Sequence, residues 1–511
     1  MSGPDGERRS FTSRTPANEN PERVTYRRGF VTRHQVTGWR FVMRRIASGV
    51  ALHDTRMLVD PLRTQSRAVL VGAMVLVTGL IGCFLFSLIR PSGDAGTDSV
   101  LADRDTAALY VRLGDRLHPV LNLTSARLIT GRPDNPAMVK SSELDQFPRG
   151  NMLGIPGAPE RMVANPTRDA YWTVCDAATG SVTGVTVIAG KPAEGGERAA
   201  ALPAGHAVLA ENEGRTWLLW NGRRSPIDLA DRAVTGGVGI GVDIAAPQPI
   251  ASGLFNAIPE SPPLVAPAII GAGLPSDIGL PEPFPVGAVV VAYDTGGSAD
   301  TPRYYVVHME GLQPVSPVVA AILRNTNSWG LAQPPRLDAD VVARVPEAGG
   351  VDVNAYPAER VTLVDTAIDP VTCAAWAEPE GAQTSSLTLL SGAALPLSED
   401  QRTVSLVSSG APGGPANQVA LPPGTGYVVD SAGSLFWVSD IGVRYGIESG
   451  DDDTAEALGL TTAPLPIPPA VLSQFAAGPT LSRTDALLAH DTLAPNPAPA
   501  RVEQATLLEN P

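Results

Sequence analysis

Residues 68–89 read AVLVGAMVLVTGLIGCFLFSLI, an uncharged run bracketed by Arg67 and Arg90 and followed by Pro91 and Gly93. As a helix rising about 1.5 Å per residue, these 22 residues span roughly 33 Å, which matches a hydrocarbon layer of ~30 Å. A core helix seldom stays uncharged over such a length, and a cleaved leader would carry a shorter apolar stretch at the extreme N-terminus. The run is therefore predicted to be a permanent, single membrane anchor.

Outward from the anchor the charge divides. Residues 1–67 hold 13 Arg against 6 Asp and Glu, whereas the rest is so acidic that the chain of 511 residues carries −14 overall. Arg-rich flanks stay in the cytoplasm. Residues 1–67 are thus expected inside the cell inner membrane, with the N-terminus cytoplasmic and a C-terminal body from residue 90 onward periplasmic. Within the leader, Val36, Trp39, Met43, Ile46 and Val50 recur at three- and four-residue steps, a helical stripe with Arg40, Arg44 and Arg45 on other faces. Such a helix suits docking on a partner's cytosolic domain, or resting on the bilayer among anionic headgroups. The polar arm to about Arg28 is expected to be mobile, and Asp60-Pro61 to end the helix.

The composition is 43% apolar, enough for large cores, and the 51 Gly and 48 Pro suit many short strands and turns. An acidic body offers no phosphate-binding face, which excludes nucleic acid. Cys83 lies in the anchor, leaving Cys175 and Cys373 as the pair in the exported region. An oxidising compartment favours one disulfide between them, the alternative being two separate buried thiols. Such a bond would restrict the unfolded chain by roughly 5 kcal/mol through loop closure. The six histidines are scattered, without the spacing of a metal site.

A four-fold echo runs through the body. It appears as Tyr110–Pro119 (YVRLGDRLHP), Trp217–Pro226 (WLLWNGRRSP), Tyr305–Pro314 (YVVHMEGLQP) and Phe436–Tyr445 (FWVSDIGVRY). Gly114, Gly222, Gly311 and Gly442 stand near the middle of each copy, where a tight hairpin needs positive φ; Asn221-Gly222 is the strongest signal. Helices are expected after the first and third hairpins, over 122–129 and 317–323. The irregular spacing argues against a stacked solenoid. It predicts small lobes near 101–140, 205–235, 286–325 and 425–450 within a body over 90–460. A central β-rich domain is expected chiefly from 330–421, with a strand-like stretch at 385–397. A Pro-rich segment, 461–511, closes the chain, with a helix-like piece at Ser482–His490 and a disordered end.

No enzyme signature accompanies this layout. Lys140 and Lys191 are the two lysines of the chain, and neither lies in a Gly-Lys-Ser/Thr phosphate loop. HExxH and GxSxG are absent, and Asp294-Thr295-Gly296-Gly297-Ser298 is a single match to a motif that must pair two carboxylates, so it reads as a turn. Trp217, Trp220, Tyr304 and Tyr305 offer rings for stacking on sugars, which keeps a cell-wall (peptidoglycan) binding module in view. No cofactor is read from the residues, and the pattern favours a scaffold.

The residues also resemble a known family. Thr32–Phe41 (TRHQVTGWRF), Ala102–Asp105 (ADRD), Leu117–Leu123 (LHPVLNL), Ala126–Pro133 (ARLITGRP), Gly154–Pro159 (GIPGAP), Gly424–Tyr427 (GTGY) and Ser434–Val438 (SLFWV) are similar to the EccB component of type VII (ESX) secretion systems of mycomembrane-bearing bacteria. Arg27–His34 (RRGFVTRH) and Phe41–Arg45 (FVMRR) look most like the paralogue of the system linked to iron and siderophore use. The resemblance implies an α+β, β-rich protein: a cytosolic amphipathic helix, one transmembrane helix, and an elongated periplasmic body of four hairpin-containing lobes around a central domain. It implies a periplasmic disulfide at Cys175 and Cys373, and assembly with the EccC motor ATPase, EccD, EccE, the mycosin protease and another EccB copy. The implied cargo is Esx pairs and PE/PPE proteins. Family members are often labelled ATPases, which would make ATP the one implied cofactor, bound at a site other than a P-loop.

Overall fold

Two stretches of chain are helical before any strand forms. α1 (Arg33–Leu52) starts with a capping box, in which the Thr32 hydroxyl accepts from the Gln35 N–H and the Gln35 side chain accepts from the Thr32 N–H. It ends at His53, which takes the left-handed conformation, so the break comes earlier than Asp60-Pro61. Pro61 instead opens α2 (Pro61–Ile89), at the first helical position, where a missing N–H costs nothing. This helix begins two turns ahead of the uncharged run, and Arg67–Leu85 within it is long and apolar enough to cross a membrane.

The computed structural model describes residues 32–53, 61–89, 95–178, 183–242, 244, 246–293, 302–409, 414–448 and 453–494. The arm to Arg28, the turn at 294–298 and the end of the Pro-rich tail lie outside these residues. The chain divides into an N-terminal unit, Met1–Ser92, and a body, Gly93–Pro511.

The body repeats one unit four times, and each unit is longer than the hairpin that announces it. In the first, β1 (Val100–Asp103), β2 (Leu109–Leu113) and β3 (Arg116–Val120) form an antiparallel meander. α3 (Leu123–Thr130) then crosses back, capped by Asn122, and β4 (Ala137–Val139) pairs parallel with β1. After α4 (Ser141–Leu144), β5 (Met152–Leu153) pairs parallel with β3. The chain next lays down β6 (Ala170–Ala177), β7 (Gly184–Ala189) and β8 (Ala200–Ala201).

The second repeat runs β9 (His206–Asn212), β10 (Arg215–Trp220), β11 (Arg223–Pro226), α5 (Arg232–Val238), β12 (Gln248–Pro249) and α6 (Ser252–Ala257). The third runs β13 (Val289–Tyr293), β14 (Pro302–Val307), β15 (Leu312–Val315), α7 (Pro317–Thr326), β16 (Arg336–Leu337) and α8 (Ala339–Arg344). In both, the fifth strand shrinks to single bridges, from Arg224 to Glu260 and from Leu312 to Glu347. β17 (Thr362–Leu363) then joins β9, and β18 (Val371–Glu378), β19 (Ser386–Gly392), β20 (Val404–Ser405) and β21 (Gln418–Ala420) follow. The fourth repeat comprises β22 (Tyr427–Ser431), β23 (Ser434–Val438), β24 (Val443–Gly446), α9 (Asp453–Leu458), β25 (Leu465–Pro466), α10 (Pro469–Leu472) and β26 (Ala476–Ala477). The closing α11 (Arg483–Ala486) is one turn long, and β27 (Ala489–His490) pairs with β5 of the first repeat; the helix expected over 482–490 is thus mostly a strap.

The central sheet has seven strands in the order β20-β21-β7-β6-β18-β19-β8. Residues 371–420 supply four of these strands and residues 170–201 the other three, while β16 and α8 belong to the third repeat. The second and third repeats are an insertion between β8 and β18.

Burial fixes the neighbours. The first and fourth repeats share one core (Val111, Leu128, Trp437, Leu458), and the second and third share another (Leu218, Val234, Val306, Ile322). One face of the central sheet packs against the second and fourth repeats, through Trp172 and Val187 with Leu219, Leu254, Val429 and Phe475. The order of contact is therefore first, fourth, central, second, third. Both faces of β10 are buried, Trp217 and Leu219 toward the central sheet and Leu218 and Trp220 toward the third repeat, which is why its sequence is apolar without alternation.

Candidate functional site

The centre of the body is a covalent cross-strand staple. Cys175 on β6 lies opposite Cys373 on β18, both fully buried, and their sulfurs are bonded at 2.11 Å with the Cα atoms 4.0 Å apart. The bond closes a loop of 198 residues that contains the second and third repeats entirely. Beside it, Asp176 points from the opposite face of β6, only 6% exposed, and its carboxylate accepts from the Ala251 N–H at 2.5 Å, at the start of α6. Burial raises the Asp176 pKa, against the lowering effect of the N–H groups of Ala251 and Ala177. Gln248 reinforces the seam, donating to the Pro370 carbonyl at 2.8 Å and accepting from the Thr372 hydroxyl at 3.2 Å.

The hairpin glycines do two different jobs. Gly114, Gly222 and Gly442 have φ of 63°, 73° and 79°, and Asn221 joins Gly222 in positive φ at 44°, the backbone of a tight turn. Gly311 also lies between two paired strands but is not left-handed; a Cβ there would collide with the Pro346 carbonyl, so the reason for glycine is close approach rather than φ. Contact matters at two of the others as well. A Cβ on Gly222 would strike the Leu387 carbonyl of β19, and one on Gly442 the Val419 side chain of β21. The second and fourth hairpins thus seat their turns toward opposite edges of the central sheet, a role invisible in the turn motif itself.

On α1, Trp39 is 65% exposed, and Val36, Met43, Ile46 and Val50 are exposed with it. Phe41, Val42 and Leu52 are exposed too, so the helix presents apolar surface beyond the single stripe. Of the aromatic candidates for sugar stacking, the two tryptophans are core residues and Tyr304 and Tyr305 are half-buried. Trp217 meets Phe255 edge-on at 4.8 Å, and Trp220 donates through Nε1 to the Ser225 hydroxyl at 3.1 Å, so neither offers a free face to a ring.

Three cavities lie along the seams between modules. One of about 410 Å³ is lined by His206, Trp220, Gly222, Glu359 and Thr388. One of about 280 Å³ is bounded by Arg161, Gly424, Trp437 and Asp440, and one of about 240 Å³ by Asp169, Tyr171, Lys191 and Tyr427. The Tyr427 hydroxyl is pushed up to about 12 by burial, with its ring edge-on to Trp172 at 5.4 Å. Lys140 precedes α4, apart from Lys191. Among the described residues no three His, Cys, Asp or Glu side chains are grouped to hold a metal ion. What the arrangement does build is seams: docking faces, staples and knobs between modules.

Residues 28–495 match a family described as type VII secretion system ESX-1, transport TM domain B. The chain is 64% identical to the ESX-3 secretion system ATPase EccB3 of Mycolicibacterium smegmatis, over 98% of this chain and 99% of that one. Among solved structures, an EccB3 dimer from the ESX-3 core complex superposes with a TM-score of 0.69 at 59% identity, covering 77% of this chain and all of that one. A chain of an intact ESX-5 inner membrane complex superposes with a TM-score of 0.74 at 37% identity, covering 94% of this chain and 99% of that one.

Proposed function

The chain belongs to the EccB family of type VII secretion systems, and from that premise we propose that it is a structural core component of an ESX inner-membrane complex. In this reading α2 anchors the chain, the Arg-rich leader with α1 lies in the cytoplasm, and the body stands in the periplasm. The observation that carries it is coverage. A match over 94% of this chain to a subunit of an inner-membrane complex takes in both the apolar helix and the repeat-bearing body. The leader's charge supports the orientation, since 13 Arg face 6 acidic residues before the anchor.

The partners follow from the family: the EccC motor ATPase, EccD and EccE, the mycosin protease beside the body, and a second copy of the chain. The cargo is Esx and PE/PPE proteins, and the likeness to ESX-3 members favours service in iron acquisition. The exposed apolar residues of α1 support a docking role for that helix in the cytosol. ATPase stands in the name of the similar M. smegmatis protein. This chain has two lysines and no Gly-Lys-Ser/Thr loop, so hydrolysis is assigned to the motor partner.

The test is purification of the tagged full-length chain in mild detergent from its own host. The motor ATPase co-elutes with it, and deletion of Arg33–Leu52 abolishes that. Co-elution that survives the deletion would sink the docking role of α1. ATP turnover by the purified chain, lost in a point variant, would replace the scaffold with an enzyme. Protease added to spheroplasts degrades the body and spares the leader; the reverse pattern would invert the topology.

A further inference from the structure

The closing segment of every repeat runs along the same sheet edge, and hydrogen bonds fix which residues correspond. The Leu117 N–H donates to the Pro148 carbonyl and the Gly150 N–H to the Leu117 carbonyl, both at 2.9 Å. Arg224 makes the same two bonds with Pro259 and Ser261, and Leu312 makes them with Pro346 and Ala348. In the fourth repeat Arg444 takes this place, opposite Ala477 and accepting from the Gly478 N–H. The two residues that come next are therefore Asn151-Met152, Pro262-Pro263, Gly349-Gly350 and Pro479-Thr480. In the first repeat the outer edge is covered by β27, which lies antiparallel with His490 opposite Met152. In the second and fourth a proline stands there, and it has no N–H to offer a further strand. The third repeat has neither device. From Glu347 to Gly350 one backbone group is engaged among the described residues, the Ala348 N–H on the Leu312 carbonyl, and Glu347, Gly349 and Gly350 are exposed. The segment is nonetheless held in place. The Gln313 amide donates to the Val351 carbonyl at 2.7 Å and its oxygen accepts from the Val351 N–H at 3.0 Å, while the His308 ring lies against Gly350. An edge held open in this way loses little freedom when a strand is laid along it.

Charge says what kind of strand fits. Glu347 on the edge, Glu310 in the turn beside it and Asp352 at its end are exposed carboxylates with no ion pair among the described residues, and Arg344 just upstream is already paired with Asp340 at 2.9 Å. An acidic strand, a second copy of this chain included, is repelled there, and one carrying Lys or Arg is drawn in. Met309, 54% exposed between His308 and Glu310, offers apolar surface to side chains at alternate positions of such a strand. We propose that Glu347–Gly350 is a docking edge for an extended, basic segment of a different protein, which adds to the third repeat as β27 adds to the first. This deepens the reading of the chain as a subunit of a complex and rests on it only for the presence of a partner.

The probe is a capped seven-residue peptide alternating lysine and valine, labelled for fluorescence anisotropy and titrated with the full-length protein in mild detergent. Its controls are the same peptide N-methylated at alternate residues and a peptide alternating glutamate and valine. The lysine peptide is expected to bind, and hydrogen exchange to slow at Glu347–Gly350. Gly349→Pro weakens binding about ten-fold or more, whereas Gly349→Ala, whose Cβ enters open space and which keeps the N–H, stays within about two-fold. Glu310→Gln/Glu347→Gln, which leaves the backbone untouched, weakens it about five-fold at low salt and less at high salt. An unchanged thermal midpoint shows that each variant folds. Absence of binding, equal binding of the N-methylated or glutamate peptide, Gly349→Pro binding like the wild type, or protection elsewhere in the body each overturns the inference. None of these results touches the scaffold reading, which stands or falls on co-purification.

Discussion

Cys175 and Cys373 sit opposite one another on neighbouring strands, so the bond between them constrains the unfolded chain without bending the sheet. Replacing both by Ala is expected to lower stability by about 2–5 kcal/mol, read from the denaturant midpoint of the purified protein. Thiol titration of the unfolded, unreduced chain finds only Cys83; three reactive thiols would show the pair open. Asp176, next along β6, acts the other way. Its pKa is raised in the fold, so between the unfolded and folded values the native state binds more protons and stability falls as pH rises. Above the folded pKa the buried charge opposes folding. Asp176→Asn keeps an oxygen for the Ala251 N–H and removes the charge, so its melting temperature should exceed that of the wild type at pH 7. That gap narrows as pH approaches the ordinary carboxylate range; a constant gap would mean the charge is not the cause. Of these residues the cysteines were legible, because only two remain outside the anchor. Asp176 was not, since nothing local distinguishes a buried aspartate from a surface one.

At the scale of elements, the second and third repeats join through α5 and α7, and the contact depends on a missing side chain. A Cβ at Gly237 would press on the Ile322 side chain and lie 2.9 Å from its backbone nitrogen, which cannot move away. Gly236 next to it has only the Asn325 amide at 3.4 Å. Gly237→Ala is therefore expected to cost about 1–3 kcal/mol, whereas Gly236→Ala leaves stability unchanged or slightly raised. Equal effects in thermal unfolding would show that helix propensity, not packing, governs the pair. The hairpins were readable because their turns demand glycine and their strands are continuous and apolar. The helix expected over 317–323 forms and runs on to Thr326, with Ser316 as its cap and the proline at its first position. The closing strands were not: β12, β16 and β25 are two residues each, too short to carry a period. Their partners lie 36 to 45 residues earlier, at β9, β13 and β22, beyond any local signal.

For the molecule as a whole, the sequence showed four lobes but not their pairing, because the first repeat meets the fourth and the second meets the third only through residues hundreds of positions apart or on opposite helices. The last described turn packs with the first repeat: Ala486 joins the shared core, β27 pairs with β5, and His490 contacts the Gly154 carbonyl through Nε2 at 2.8 Å. Truncation after Leu481 should speed amide exchange in β3, β5 and α3 while leaving β6 and β18 protected, and uniform exchange across the body would refute that division. The nesting also dictates a schedule. As the polypeptide emerges from its N-terminus, the innermost pair of repeats is the first to have both members present. The central strands on either side of that pair can zip only afterwards, and the earliest-made lobe waits for nearly the last residues before its hydrophobic face is covered. A segment synthesised first and finished last is the one most in need of protection while the remainder arrives.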